Sequence, residues 1–424
     1  MLDDVQRFDM QRPPMRQHLM PVAWLLAAGT LIPHKNKLTK IGMAGVKPPY
    51  LLLCNHNAFM DFSVATLAMF PHRANYVVAI DGFLKREWLL RLIGCICKRK
   101  FTRDVTLVRQ LKRVVDRGDI AVLYPEARYS LCGTTAVLPE SLGKLCKLLK
   151  VPVVTLICHG HHVNAPFWNL AQRKVKPTEA EMTCLFTREQ LEKATVAEVN
   201  AAIEAAFRYD DFAWQKQKGI RTPYAKRAEG LEKVLYQCPH CRTEFRMRTE
   251  GTRLFCDSCG RVWQMTELGE LQAEEGETIF AHIPDWYEWE RANVRAEVAA
   301  GTYGFSCQAR VDALPNAKGY IDLGMASFTH DMTGFTVEGA YKGESYRVHI
   351  PAASQYSVHI EYEYLGKFGD CVDLNTDRDT LYCYPKDCLF AVTKMALATE
   401  ELYQHYERLR KASLGESDRR EALA

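Results

Sequence analysis

The sequence predicts an α/β domain with a largely parallel sheet, then a small four-cysteine module, then a β-rich C-terminal domain ending in one helix. Three observations carry this expectation. From Tyr50 to about Leu170, apolar strand-like runs alternate with stretches of helical spacing. Two Cys-x2-Cys pairs lie close together between Cys238 and Cys259. After Gly301 the pattern changes to period-two alternation broken by Gly, Asn and Asp. A chain of 424 residues exceeds one ordinary core, so two or three domains are expected. The boundaries read as 1–228, 229–275 and 276–424.

The elements follow in order. Leu19 to Ile32 is the longest apolar tract, too short to span a bilayer, which needs about 20 residues. Arg12 and Arg16 precede it, and Lys35, Lys37 and Lys40 follow. Residues 1–40 therefore read as a helical segment lying on a membrane surface; a buried core helix is the alternative. The runs "PYLLLCN", "ANYVVAI", "DIAVLYP" and "VPVVTLICHG" read as strands, and "DFSVATLAMF", "LVRQLKRVVDRG" and "ESLGKLCKLLK" as the helices between them. Arg208 to Leu231 is basic and polar and reads as a connection. A helix is expected around Pro284 to Ala300. Strands are expected in "FTVEGAY", "YRVHI", "YSVHIEYEYL", "CVDL" and "TLYCYP", closing on a helix from Cys388 to about Lys411. Several antiparallel strands and a terminal helix suggest a small capped barrel, pleckstrin-homology-like in element order.

At 47% hydrophobic and 25% charged residues the composition excludes a disordered chain. The net charge of +4 is unevenly spread. Asp81 to Arg113 holds ten Lys/Arg, Arg103 among them, against three acids, enough to attract an anionic partner. The fifteen cysteines are an odd number, and no secretory signal opens the sequence, so reduced thiols and a cytoplasmic protein are expected.

Cys238-x2-Cys241-x14-Cys256-x2-Cys259 supplies four thiolates at the spacing of a tetrahedral zinc site and reads as a zinc ribbon. Four thiolates close the coordination sphere, so the zinc is expected to be structural. Tyr236 to Glu267 carries five arginines and four acids, which disfavours nucleic acid as its partner.

"LLLCNHNAFMDF" at Leu51 to Phe62 carries the chemistry. On a continuous helix, residues five apart point about 140° away from each other. His56 and Asp61 meet only if a strand ends near Asn55, the chain turns, and a helix begins near Asp61. The carboxylate then fixes one ring nitrogen and leaves the other free as a base. An ordinary strand-end histidine beside an N-cap aspartate is the plain alternative. Cys54 is a rival nucleophile, but two positions along a strand separate it from His56 by about 6.6 Å, and it reads as core packing. His159, His161 and His162 in "CHGHHVN" read as pocket lining.

"NHNAFMDF" resembles the His-x4-Asp block of the glycerolipid acyltransferases, the lysophosphatidate and glycerol-3-phosphate acyltransferase type. "GCICKRKF" at Gly94 to Phe101, "YPEARYS" at Tyr124 to Ser130 and "VPVVTL" at Val151 to Leu156 resemble the second, third and fourth blocks, in order. Ala127, Arg128 and Tyr129 stand where the third block has Gly, Thr and Arg, and Thr155 replaces a proline.

The resemblance implies transfer of a fatty acyl group from a thioester, acyl-CoA or acyl-carrier protein, to a hydroxyl of a lysophospholipid or glycerol phosphate acceptor in phospholipid synthesis. It implies His56 as general base and Asp61 as its orienter. Glu126 is expected to bind an acceptor hydroxyl or to order the site. Arg99, Lys100 and Arg128 are the candidates for an acceptor phosphate. The expected location is the inner face of the membrane, as a peripheral protein. The competing reading is a non-catalytic lipid- or nucleic-acid-binding protein on the same scaffold.

Overall fold

The computed structural model describes residues 2, 4–102, 104–171, 173–386, 388 and 392–421, with side chains through Ser413. Arg103 and residues 389–391 of the expected terminal helix lie outside them. The first unit is built on seven strands: β1 (Lys37–Ile41), β2 (Leu51–Cys54), β3 (Ala74–Ala79), β4 (Ile96–Lys98), β5 (Ile120–Leu123), β6 (Val153–His159) and β7 (Glu179–Phe186). Their order is β1-β7-β6-β2-β5-β3-β4, and every neighbouring pair is parallel except β6 with β7.

β2 is the central strand, and all four of its residues are buried. Its alternation divides the core into two layers. Leu52 and Cys54 face a cluster with Met60, Val64 and Ala68, whereas Leu51 and Leu53 face one with Leu111, Val114, Leu142 and Val199. The helices of this unit are α1 (Met20–Leu31), α2 (Met60–Ala68), α3 (Glu87–Leu92), α4 (Val105–Asp116), α5 (Leu142–Leu149), α6 (His161–Asn164), α7 (Arg188–Lys193), α8 (Val196–Ala206) and α9 (Asp211–Lys218). Their starts are chemically specified. Asp104 accepts the Leu107 N–H at 3.0 Å, and Thr187/Gln190 and Thr195/Glu198 form capping boxes at α7 and α8.

Two expectations need correction. Residues 1–40 are not one helical segment: α1 covers only Met20–Leu31, and Lys37–Ile41 is an edge strand paired with β7. Arg208 to Leu231 is not a bare connection. It contains α9, whose Phe212 and Trp214 are buried, because these aromatic residues pack inward on the first unit while the cations stay outside.

The cysteine module is a four-stranded antiparallel sheet: β8 (Met247–Glu250), β9 (Arg253–Cys256), β10 (Val262–Met265) and β11 (Leu271–Ala273). After α10 (Ile283–Ala299) come β12 (Gly304–Ala313), β13 (Ile321–Asp331), β14 (Gly334–Tyr341), β15 (Glu344–Pro351), β16 (His359–Glu361), β17 (Cys371–Asn375) and β18 (Thr380–Lys386). These form one antiparallel sheet, ordered β15-β14-β13-β12-β18-β17-β16. The long β12 joins both halves, and among the described residues β15 and β16 do not pair to close a barrel. The last helix, α11 (Val392–Glu421), places Val392, Met395, Ala396, Ala398 and Leu402 in the core of this sheet.

The three units share their cores. One cluster joins Leu131, Phe167, Trp168 and Phe212 of the first unit to Trp263 and Met265 of the cysteine module and to Trp286, Val337 and Leu402 beyond it. A second joins Tyr50, Tyr76 and Phe83 to Leu314, Cys371 and Tyr382.

Candidate active site

Three adjacent strands, β6, β2 and β5, deliver His161, His56 and Glu126 just past their C-terminal ends, where open parallel sheets place ligands. The chain turns after β2 and α2 begins at Met60, which returns Asp61 towards the imidazole. His56 Nδ1 lies 3.3 Å from Asp61 Oδ2. The same oxygen accepts the backbone N–H groups of Asn57 at 2.5 Å and Ala58 at 2.9 Å. Asp61 is fully buried, while the His56 side chain is 24% exposed. The carboxylate is thus locked and the base stays reachable through Nε2.

His161 bonds through Nδ1 to the other oxygen of Asp61. Burial works to raise the Asp61 pKa, but hydrogen bonds and charge from His161 and His56 outweigh it and hold the carboxyl well below the usual carboxylate range. The expectation that His161 lines a pocket understates it: it is a direct partner of the orienting carboxylate. His162 is packed between Trp168 and Phe212, where burial pushes its pKa down to about 3. His159 stays at the end of β6, 3.8 Å from Asp211, its pKa lowered by burial.

Glu126 is fully buried and holds the His56 backbone rather than facing open space. It accepts the His56 N–H at 3.1 Å and the Ala136 N–H at 2.8 Å, and Tyr209 donates to it at 3.2 Å. Ser130 N–H bonds the His56 carbonyl at 2.9 Å, so the segment after β5 grips both polar groups of the His56 backbone. The His56 ring lies between Tyr124 and Tyr129, with centroids 4.5 and 4.3 Å away. Ala127 has φ of 54°, in the left-handed region, which accounts physically for the glycine expected there.

Two residues of the supposed connection complete the support. The Tyr209 hydroxyl also lies 3.0 Å from Asn57 Oδ1. Asp211 accepts the Gly160 N–H at 3.1 Å and the His162 N–H at 2.8 Å, fixing the turn that carries His161. Sequence reasoning missed both; the one available signal was "YDDF", an N-cap aspartate followed by a second acid.

Residues 33–159, from just before β1 to the end of β6, match the Acyltransferase family. The matched stretch, β1 to β6, is an acyltransferase domain. Comparison with curated proteins finds no match. Among solved structures the chain is similar to the 1-acyl-sn-glycerophosphate (LPA) acyltransferase PlsC from Thermotoga maritima. The identity is 14% and the TM-score 0.34, over 45% of this chain and 81% of that one.

Within the acyltransferase domain, Cys54 is fully buried at the end of β2, and burial pushes its thiol well above the ordinary range, as core packing requires. The basic residues expected at an acceptor phosphate have other partners. Arg99 donates to Thr380 Oγ1 at 2.8 Å and to the carbonyls of Leu314, Pro315 and Arg378. Arg128 pairs with Glu400 of α11 at 2.6 Å, and both are buried. The structure commits these two arginines to the C-terminal domain because the β12–β18 sheet and α11 dock against the second and third sequence blocks. Lys100 lies 3.9 Å from Asp81 and is mostly buried.

The four cysteines of the β8–β11 module converge. The sulfurs of Cys238 and Cys259 are 3.8 Å apart, those of Cys241 and Cys256 3.6 Å, and all four lie within 4.8 Å of one another. A tetrahedron with zinc–sulfur bonds of about 2.3 Å has edges of about 3.8 Å, so the donor set fits zinc.

Proposed function

We propose that the chain transfers a fatty acyl group from a thioester donor, acyl-CoA or acyl-carrier protein, to a hydroxyl of a glycerolipid acceptor such as 1-acylglycerol-3-phosphate. The observation that carries this is the contrast within one hydrogen-bonded pair: a partly exposed His56 oriented by a fully buried Asp61. Neutral His56 takes the hydroxyl proton as the oxygen attacks the thioester carbonyl, the tetrahedral adduct collapses, and the leaving thiolate takes that proton from His56. Asp61 holds the ring and stabilises the imidazolium. Glu126 acts on the acceptor only indirectly, through the His56 backbone.

The exposed apolar residues of α1 support docking at a membrane surface, on the inner, cytoplasmic face. Among the described residues no helix is long and apolar enough to cross a membrane. Zinc on the four cysteines is read as structural. Lys100 remains a candidate for the acceptor phosphate.

The test is mass spectrometry of lipids formed from glycerol-3-phosphate and a panel of lysolipids with both donor types. We expect one acceptor class to be acylated, His56→Ala to abolish product with the fold intact, and Cys54→Ser to keep most activity. Near-normal turnover by folded His56→Ala ends the general-base assignment.

A further inference from the structure

The C-terminal domain turns a cluster of three potential ligands towards the acyltransferase domain. β16 and β17 pair antiparallel with His359 directly opposite Asp373, and Glu361, two residues along β16, projects to the same face. His359 Nδ1 lies 3.6 Å from Asp373 Oδ2, and Nε2 lies 3.6 Å from Glu361 Oε1. One donor atom from each residue can be chosen so that all three lie within 4.8 Å of one another. The side chains are 4%, 18% and 2% exposed. The ring of Phe167, which also contacts Tyr129 beside His56, packs edge-on against His359 at 6.2 Å.

These separations are too long for hydrogen bonds. The Nδ1 of His359 is buried without a hydrogen-bond partner. Nitrogen and oxygen ligands about 2.1 Å from a shared ion stand roughly 3.0–3.5 Å apart; the two 3.6 Å separations fall on opposite ring nitrogens, so an ion on one nitrogen draws the other carboxylate in from within 4.8 Å.

We propose that His359, Glu361 and Asp373 bind one divalent first-row transition-metal ion, at a site distinct from the four cysteines. One imidazole and two carboxylates suit ions such as Mn2+ or Zn2+, whereas four thiolates select zinc. The full chain, with zinc retained on its cysteines, is titrated with Mn2+ and followed by electron paramagnetic resonance. We expect one Mn2+ per chain, coupled to a single imidazole nitrogen in the pulsed spectrum, and weakened roughly tenfold or more in Asp373→Asn and in Glu361→Gln. Absence of bound Mn2+ at millimolar concentration overturns the site, as does binding unchanged in both folded variants. If the variants misfold, the wild-type spectrum decides: nitrogen coupling upholds the site and its absence overturns it. Acyl transfer is not the readout, so this result stands apart from that of the lipid panel.

Discussion

His56 and Asp61 meet because β2 stops and α2 starts within the five positions between them, and the Asp61 carboxylate is then fixed by two backbone N–H groups and His161. Asp61→Asn replaces an acceptor by a donor against those groups. A severe loss of kcat is expected, with a stability cost of about 1–3 kcal/mol at neutral pH. The depressed Asp61 pKa means that its contribution is present above the unfolded value and is lost as pH falls through the folded one. Glu126 and Asp211 work in the opposite sense. Burial pushes Glu126 up to about 8 and Asp211 up to about 7, against the backbone N–H groups that favour their charged forms. The folded chain therefore holds more protons than the unfolded chain, whose carboxyls titrate near 4. That contribution is complete below about pH 4 and is lost as pH rises through about 7 to 8. Denaturation of wild type and Asp211→Asn between about pH 5 and 9 checks this: wild type should weaken with rising pH, and the variant should show a shallower slope.

α1 has the wrong surface for a helix facing water. Leu25 is 74% exposed and Leu26 67%, with Val22 and Ile32 also outside, while only Met20, Ala27 and Leu31 are buried. Lys35, Lys37 and Lys40 follow on exposed positions. Leu25→Glu combined with Leu26→Glu should abolish co-sedimentation with anionic vesicles and leave the melting temperature near wild type; full retention on vesicles would place the membrane contact elsewhere. The β8–β11 module makes a different demand. Each of its knuckles turns tightly enough that the Cys238 and Cys256 carbonyls accept N–H bonds from Arg242 and Gly260. Cys256→Ser should lower zinc content by elemental analysis and destabilise the chain, since metal binding and folding of such modules are linked. A zinc-free wild type of unchanged melting temperature would refute the structural role.

At the scale of the whole molecule, α11 holds the units together. Glu400 bonds Arg128 of the acyltransferase domain, Arg291 of α10 and Ser357, while Lys394 bonds Glu244 of the cysteine module and Glu297 of α10. Breaking a buried pair by removing one partner costs about 3–5 kcal/mol. Arg128→Ala should thus lower the melting temperature and reduce acylation of phosphate-bearing and phosphate-free acceptors in parallel. A selective loss for the phosphate-bearing ones, read as the ratio of kcat/KM values, would return Arg128 to acceptor binding. The shared cores also decide what a truncation would expose. Residues 1–228 alone would expose Leu131, Phe167, Trp168 and Phe212, so that fragment should be insoluble rather than independently active.

Local physics was enough to read several features from the chain. β2, β5 and β6 are apolar runs bounded by turns, α4 and α5 show their spacing, and His56, Asp61 and the four cysteines stand at separations that chemistry itself prescribes. A carboxylate that must orient an imidazole, or a pair of knuckles that must close a tetrahedron, leaves a mark in sequence distance. Other features had no such mark. His161 reaches Asp61 across 100 residues, Tyr209 reaches Glu126 across 83, and Glu400 reaches Arg128 across 272. An arginine beside a family motif looks the same in sequence whether it waits for a phosphate or is already bonded to a distant glutamate. Only the packing of the C-terminal domain onto the acyltransferase domain decided that, because a buried guanidinium takes the partner that the fold brings within reach.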